Sequence, residues 1–173
     1  RLVGLRPRYL VTLGNQADVT AGDYLACLQD DPATEVFACY LEGFRPGDGA
    51  RCLDAARRIG ERGGTVVLYL GGRTAAGAAA AASHTAALAS DYTLAAALAR
   101  EAGVLVAETF EDFEDLVRLA VLLRNRTLGG LALGAVSNAG FECVAAADHQ
   151  GPFTFPPLSP PTEAAVGAVL AAH

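Results

Sequence analysis

The chain has 173 residues, 52% apolar and 18% charged, which excludes a disordered polymer and leaves room for one core and part of another. Its formal charge of −6 argues against nucleic acid or an anionic membrane surface as the main partner. All thirteen basic residues are Arg, so no Schiff-base Lys, Lys general base or P-loop Lys is available.

Apolar runs bounded by Gly alternate with helical patterns. Tyr9–Leu13 reads as a short strand ended by Gly14. A polar loop, Gly14 to Val19, leads to a helix that starts near Thr20 or Ala21 and runs to about Gln29. Pro32 closes it, because the residue before a proline is pushed out of the helical region. Val36–Leu41 is β-branched and aromatic enough for a strand. A loop from Glu42 to Gly49, a helix over Ala50–Ile59, the Gly63-Gly64 break and a strand over Thr65–Leu70 follow. Gly71 to Thr74 opens the next loop, and an Ala-rich helical segment comes after it. Asp91 is placed to cap a helix ending at Glu101, and Val104–Val106 is a short strand. Phe113, Leu116, Val117, Ala120 and Leu123 recur at helical spacing, which predicts a helix over Phe110–Leu123.

Strand and helix in alternation predict a parallel sheet with helices on both faces, joined by right-handed crossovers. The expected fold class is therefore α/β, a flavodoxin-like doubly wound domain over residues 1–128. From residue 129 a fresh unit is expected: a strand at Leu131–Ser137, a helix from the Asn138-Ala139-Gly140 turn to about Asp148, and an extended loop over Gly151–Pro161. A last helix, Glu163–Ala172, would be capped by Thr162. One such unit and a lone helix close no core, so residues 129–173 read as the start of a second α/β domain. With no Met anywhere, the sequence is expected to be cut at both ends.

The cysteines, Cys27, Cys39, Cys52 and Cys143, form no CxxC pair and have no zinc spacing, so no metal site is expected. Cys39 in an apolar run and Cys52 and Cys143 in helical patterns read as buried free thiols, as suits a reducing cytoplasm. No signal peptide is visible, and no apolar run reaches the roughly 18 to 20 residues that span a bilayer.

In an open α/β sheet, ligands gather at the carboxyl ends of the strands. Gly14–Asp18, Glu42-Gly43 and Gly71–Thr74 are all expected there. Glu42 ends an apolar strand beside a Gly that admits close approach, although a solvated strand-end carboxylate has the same signature. His84 is the most informative residue. It stands between Ser83 and Thr85 in a run of small side chains, as in a mobile or exposed loop that lets something large approach. An imidazole can carry a phosphoryl group, and a carboxylate on its other nitrogen fixes the tautomer. An exposed histidine at a helix end fits the same residues.

Three motifs together resemble one family. Leu13-Gly14-Asn15-Gln16-Ala17-Asp18-Val19 resembles an LGNxADV stretch, Tyr40-Leu41-Glu42-Gly43 a YxEG, and Ser83-His84-Thr85 the SHTG loop that bears a phosphohistidine. Gly72-Arg73-Thr74 and Ser137-Asn138-Ala139-Gly140 are similar to further turns in the same order. The family is the α-subunit type, succinyl-CoA-synthetase-like domain of the NDP-forming acyl-CoA synthetases.

The resemblance implies that His84 is phosphorylated and that Glu42 accepts the other ring N–H. Gly14, Asn15, Ser83 and Thr85 would be loop residues near the site, and Ser137, Asn138, Ala139 and Gly140 a phosphate-binding helix start. It also implies a ligase interconverting acyl-CoA, phosphate and ADP (or GDP) with carboxylic acid, coenzyme A and ATP (or GTP), with Mg in the full enzyme. Its partners would be a CoA-binding Rossmann domain and an ATP-grasp domain or subunit, in a cytoplasmic oligomer; the fragment alone would be inactive.

Several positions depart from the pattern. Ala86 and Ser90 stand where Gly is usual, which stiffens a swinging loop by very roughly 0.5–1 kcal/mol per Gly replaced. Leu70 stands in place of a Lys, and Phe141-Glu142 follows Gly140 where Gly, Pro and Gly are usual. A carboxylate in the first helical turn can itself occupy the anion site. These departures keep a second reading open: a non-catalytic CoA-binding or regulatory module of the same family. An unrelated flavodoxin-like binding domain is a weaker third.

Overall fold

In the computed structural model the structure describes residues 5–84 and 91–172, and of residues 81–84 only the backbone. The chain forms two compact units, Arg1–Asn125 and Arg126–His173.

The first unit holds a parallel sheet of β1 (Val36–Leu41), β2 (Thr65–Leu70) and β3 (Leu105–Ala107), in that order. Register is set from Val36 opposite Thr65 to Leu41 opposite Leu70, and from Val67 opposite Leu105 to Tyr69 opposite Ala107. Strand alternation splits the apolar residues between the two faces. Phe37, Leu41, Val66, Leu68 and Leu70 join α1 (Ala21–Leu28), α2 (Asp48–Glu61) and α4 (Tyr92–Glu101) in one core. Val67 and Ala107 join Phe113 and Val117 of α5 (Phe110–Leu123) in the other. Helices on both faces of a parallel sheet make this the flavodoxin-like α/β arrangement.

Each helix has a local cause. In α2, Cys52, Ala55, Ala56 and Ile59 are buried at helical spacing, while Arg51, Arg57 and Arg58 face outward. Thr20 and Asp23 form a capping box on α1, as do Thr109 and Asp112 on α5. Asp91 accepts hydrogen bonds from the amides of Thr93 and Leu94 at the start of α4. Gly103 has φ +82 and donates to Arg100 C=O at 3.0 Å, the left-handed stop that sends the chain back into β3.

Two expectations fail in this unit. Tyr9–Leu13 is not a strand: Leu10 is 86% exposed, and the sheet begins at β1. An apolar run becomes a strand only when a neighbouring ladder takes its amides and carbonyls, and none is paired with it among the described residues. Ser83 and His84 do not lie in a loop. Helix α3 runs from Ala75 to His84, because the Ala run from Ala78 to Ala82 has high helix propensity and holds no stop signal. Smaller shifts occur at β3, one residue later than expected, and at α2, which is longer at both ends.

The second unit contains α6 (Gly140–Asp148) and α7 (Pro160–Ala171), neither with a buried residue. The expected strand at Leu131–Ser137 reduces to a single parallel bridge between Ala132 and Thr154. Its partner segment carries Pro152, Pro156 and Pro157, which lack the N–H a longer ladder needs. The last helix starts at Pro160 with Ser159 as N-cap, not at Glu163 behind Thr162. Prolines at the first helical positions cost nothing there, since their missing N–H groups would have no intrahelical partner. Thr162 instead shares a hydrogen bond with Ser159, hydroxyl to hydroxyl at 2.8 Å.

Candidate functional site

Glu42 follows the last residue of β1, at the carboxyl edge of the sheet, and is half-buried; Gly43 behind it is buried. The next strand closes against it. Gly71 N–H donates to Leu41 C=O at 2.8 Å, and a Cβ on Gly71 would stand 3.4 Å from Glu42 Cα. The backbone of the Gly71 turn therefore lies directly beside the carboxylate-bearing residue, in van der Waals contact with it. Thr74 then starts α3: its Oγ1 accepts from Gly77 N–H at 3.0 Å.

The Gly14–Asp18 loop reaches the same edge through Gln16. This residue has φ +52, and its Oε1 accepts from Ala21 N–H at 3.1 Å while Nε2 donates to Gly43 C=O at 3.4 Å. One side chain thus ties the loop to both the start of α1 and the residue after Glu42. Gly14 and Asn15 are exposed on that loop. Tyr40 Oη donates to Glu42 Oε1 at 3.3 Å, and its ring stacks on Tyr69 with centroids 5.6 Å apart and planes 14° from parallel. Burial first, and then the Glu42 charge, push the Tyr40 phenol above its ordinary value, so it remains a donor at neutral pH.

The three constellations expected at the strand ends thus split as follows. Residues of the first loop, Glu42-Gly43 and Gly71-Gly72 come together at one edge. The backbone of Ser83 and His84 lies in the last turn of α3. Thr85, with Ala86 and Ser90, lies outside the described residues. In the second unit, Ser137 Oγ accepts from Ala139 N–H at 3.0 Å and donates to the carboxylate of Glu142, while Ala139 is the N-cap of α6. The turn expected to hold phosphate is thus engaged by an acid of its own helix.

Gln16 and Tyr40 are site contacts that composition and spacing do not single out, although both fall inside the quoted motifs. Asp48 is missed altogether. It is 3% exposed, accepts from Thr20 Oγ1 at 2.5 Å and from Gly22 N–H at 3.3 Å, and so locks α1 to α2 behind the site loop. The only signal for it is its place between two glycines at a helix start.

Elsewhere in the unit, a cavity of about 240 Å³ lies under Leu41 between α2 and α4. Its walls are apolar side chains and the thiols of Cys39 and Cys52, so it offers no acid, base or cation to a substrate. Cys27 and Cys143 are exposed, against the expectation that Cys143 is buried, because α6 buries no residue at all. Among the described residues, no group of three His, Cys, Asp or Glu is placed to hold a metal ion. No described helix is long and apolar enough to cross a membrane.

Comparison with known proteins agrees with this layout. The model of the succinyl-CoA ligase like flavodoxin domain matches residues 2–120. The chain is 36% identical over 147 residues to acetate–CoA ligase (ADP-forming) I of Archaeoglobus fulgidus, covering 85% of this chain and 20% of that protein. It is 34% identical over 139 residues to acetate–CoA ligase (ADP-forming) of Methanocaldococcus jannaschii, covering 80% of this chain and 19% of that one. The dinucleotide forming acetyl-coenzyme A synthetase 1 of Ca. Korarchaeum cryptofilum, solved in complex with phosphate and ADP, superposes with a TM-score of 0.68 at 33% identity. That match covers 85% of this chain and 32% of the solved one. The chain therefore spans about a fifth of the length of these curated relatives. An open parallel sheet with a Glu-Gly turn at its carboxyl edge, and a family match over most of the first unit, lead to one assignment: the chain belongs to the succinyl-CoA ligase like flavodoxin domain family, as found in ADP-forming acyl-CoA synthetases.

Proposed function

We propose that the chain is the phosphohistidine-bearing part of a longer NDP-forming acyl-CoA synthetase, with His84 as the phosphorylated residue and Glu42 as its partner. The observation that carries this reading is Glu42 itself. It stands at the carboxyl end of β1, packed against the Gly71 turn, in a chain similar to ADP-forming ligases over 85% of its length. In the proposed reaction, a phosphate oxygen attacks the thioester carbonyl and expels the thiolate of coenzyme A, leaving an acyl phosphate. A ring nitrogen of His84 then attacks phosphorus and expels the carboxylate. The terminal phosphate oxygen of ADP takes the phosphoryl group in turn and frees the imidazole. Glu42, by accepting the second ring N–H, would hold the tautomer and stabilise the positive ring.

The departure at Glu142 supports a second reading, a CoA-binding or regulatory module without turnover. Its carboxylate engages Ser137, the first residue of the expected phosphate turn. On the first reading the chain works with a CoA-binding domain and an ATP-grasp domain in a cytoplasmic oligomer. Residues 129–173 then begin its second α/β domain.

Acid-labile labelling of the full-length protein with γ-labelled ATP separates the two readings. Label that His84→Ala abolishes and Glu42→Ala weakens by at least tenfold establishes the first. Binding of coenzyme A with no label and no thioester formation establishes the second.

A further inference from the structure

Glu42 is the last link of an aromatic column. Tyr40 lies opposite Tyr69 in the parallel register, and the two rings stack. Tyr69 in turn meets Phe110 edge-on, with centroids 6.0 Å apart and planes at 84°, and lies 6.3 Å from the ring of Phe113, a buried residue of α5. Tyr40 is 52% exposed, yet its ring is supported from the core through these contacts. A ring held in this way leaves its hydroxyl only one torsion to turn, and that hydroxyl reaches Glu42 Oε1. A half-exposed glutamate with three side-chain torsions would otherwise sample many rotamers.

We propose that Tyr40 is a positioning residue: its phenol O–H holds Oε1 of Glu42, which leaves Oε2 to take the imidazole N–H and so sets the rate of phosphoryl transfer through His84. This rests on the reading of His84 and Glu42 as the phosphohistidine pair. A competing role for the exposed ring, as a hydrophobic contact for another domain, needs the ring and not its hydroxyl. The two roles therefore part on a single atom.

The test is a double-mutant cycle in the full-length protein, following the rate of histidine labelling from ATP for wild type, Tyr40→Phe, Glu42→Ala and the double variant. Tyr69→Phe serves as a control that removes a hydroxyl from the same stack. Tyr40→Phe keeps the ring and its packing. It is expected to slow labelling about three- to tenfold, the loss of one long, solvent-exposed hydrogen bond, with KM for the nucleotide unmoved. In the Glu42→Ala background the same change is expected to cost nothing further, and Tyr69→Phe to label like wild type. Unchanged labelling by Tyr40→Phe while Glu42→Ala is impaired overturns the proposal and leaves the His84–Glu42 pair standing. An equal cost in both backgrounds also overturns it. Wild-type labelling by both Glu42→Ala and His84→Ala overturns the pair, and the proposal with it.

Discussion

Asp48 Oδ1 accepts a hydrogen bond from Thr20 Oγ1 at 2.5 Å, which joins the N-terminal ends of two helices through a carboxylate shielded from water. A hydroxyl has one proton. Thr20 Oγ1 also lies 2.8 Å from Asp23 Oδ2, so two carboxylates compete for that proton. Asp48→Ala strips the buried Gly22 amide of its acceptor and leaves the Thr20 hydroxyl to Asp23 alone, and should lower stability by about 1–3 kcal/mol. Asp48→Asn, which keeps an acceptor, should cost about half as much. Urea unfolding followed by circular dichroism measures both.

Gly22 exists for the same contact. A Cβ there would stand 2.3 Å from Asp48 Oδ1 and 3.1 Å from its Cγ, a clash with a carboxylate pinned by its own hydrogen bonds. Gly22→Ala should therefore destabilise by about 1–3 kcal/mol although Ala is the better helix former. The double variant Gly22→Ala, Asp48→Ala should be more stable than the sum of the two single changes implies, because removing the carboxylate also removes the clash. Additive losses in the urea midpoints would show that the helix shifts to make room instead.

Acid should weaken this corner from another side. The Asp23 carboxyl is held below its ordinary value of 3.8, first by the Thr20 amide, then by the Thr20 hydroxyl and, beyond those, the charge of Arg51. Asp31 is held below the same value by the Thr34 hydroxyl and the Ala33 amide. A group whose folded value is depressed stabilises the fold above its unfolded value and loses that contribution as pH falls through the folded one. Stability should accordingly drop below about pH 4, and Asp23→Asn should flatten the drop. Thermal melts from pH 6 to pH 3 read this directly, and an equally steep drop in Asp23→Asn would count against it.

The four thiols should divide into two pairs. Burial pushes the Cys39 thiol up to about 12, and burial with the neighbouring Asp48 carboxylate raises Cys52. Cys39 keeps some accessible surface as a residue, yet its thiol lines the apolar cavity, and it is the sulfur that loses water. At pH 8 a thiol near 12 is only about one part in ten thousand thiolate, against roughly a quarter for an ordinary one. Cys27 and Cys143 should react with Ellman's reagent within minutes, and Cys39 and Cys52 only after denaturant is added. Four fast thiols in the folded chain would contradict the packing of β1 against α2.

The bounds of Val36–Leu41, Thr65–Leu70 and Phe110–Leu123 are legible in the sequence because each is an apolar pattern closed by its own punctuation, the Glu-Gly, Gly-Gly and Thr109 signals. Tyr9–Leu13 and Leu131–Ser137 carry the same apolar content and still fail, since strand formation depends on a partner ladder that local composition does not encode. The edge at Glu42 is legible for the opposite reason, being a carboxylate directly after a strand. Asp48 and Gln16 are not legible, because each acts on a residue more than twenty-five positions away. His84 shows both sides of the matter. Its chemistry stands out among alanines, but those same alanines carry the helix as far as His84, a conflict between a motif read as loop and the propensity of its surroundings.

Glu142 sets the charge at the turn that opens α6. Its carboxylate takes the Ser137 hydroxyl, and Ser137 in turn accepts the Ala139 amide, so the turn that opens α6 has its polar groups engaged internally and a negative charge in its first turn. A phosphate arriving there would meet like charge where the helix dipole would otherwise favour it. Glu142→Ala removes that charge and frees the hydroxyl. If Ser137 to Gly140 hold phosphate in the full-length protein, the variant should lower KM for inorganic phosphate by about three- to tenfold in acyl-CoA cleavage, with KM for acyl-CoA unchanged. Glu142→Gln, which removes the charge but keeps a partner for Ser137, should fall between the two. An unmoved phosphate KM in both variants places the phosphate elsewhere. A protein inactive before the change and active after it shows that a single carboxylate separates the regulatory reading from the catalytic one.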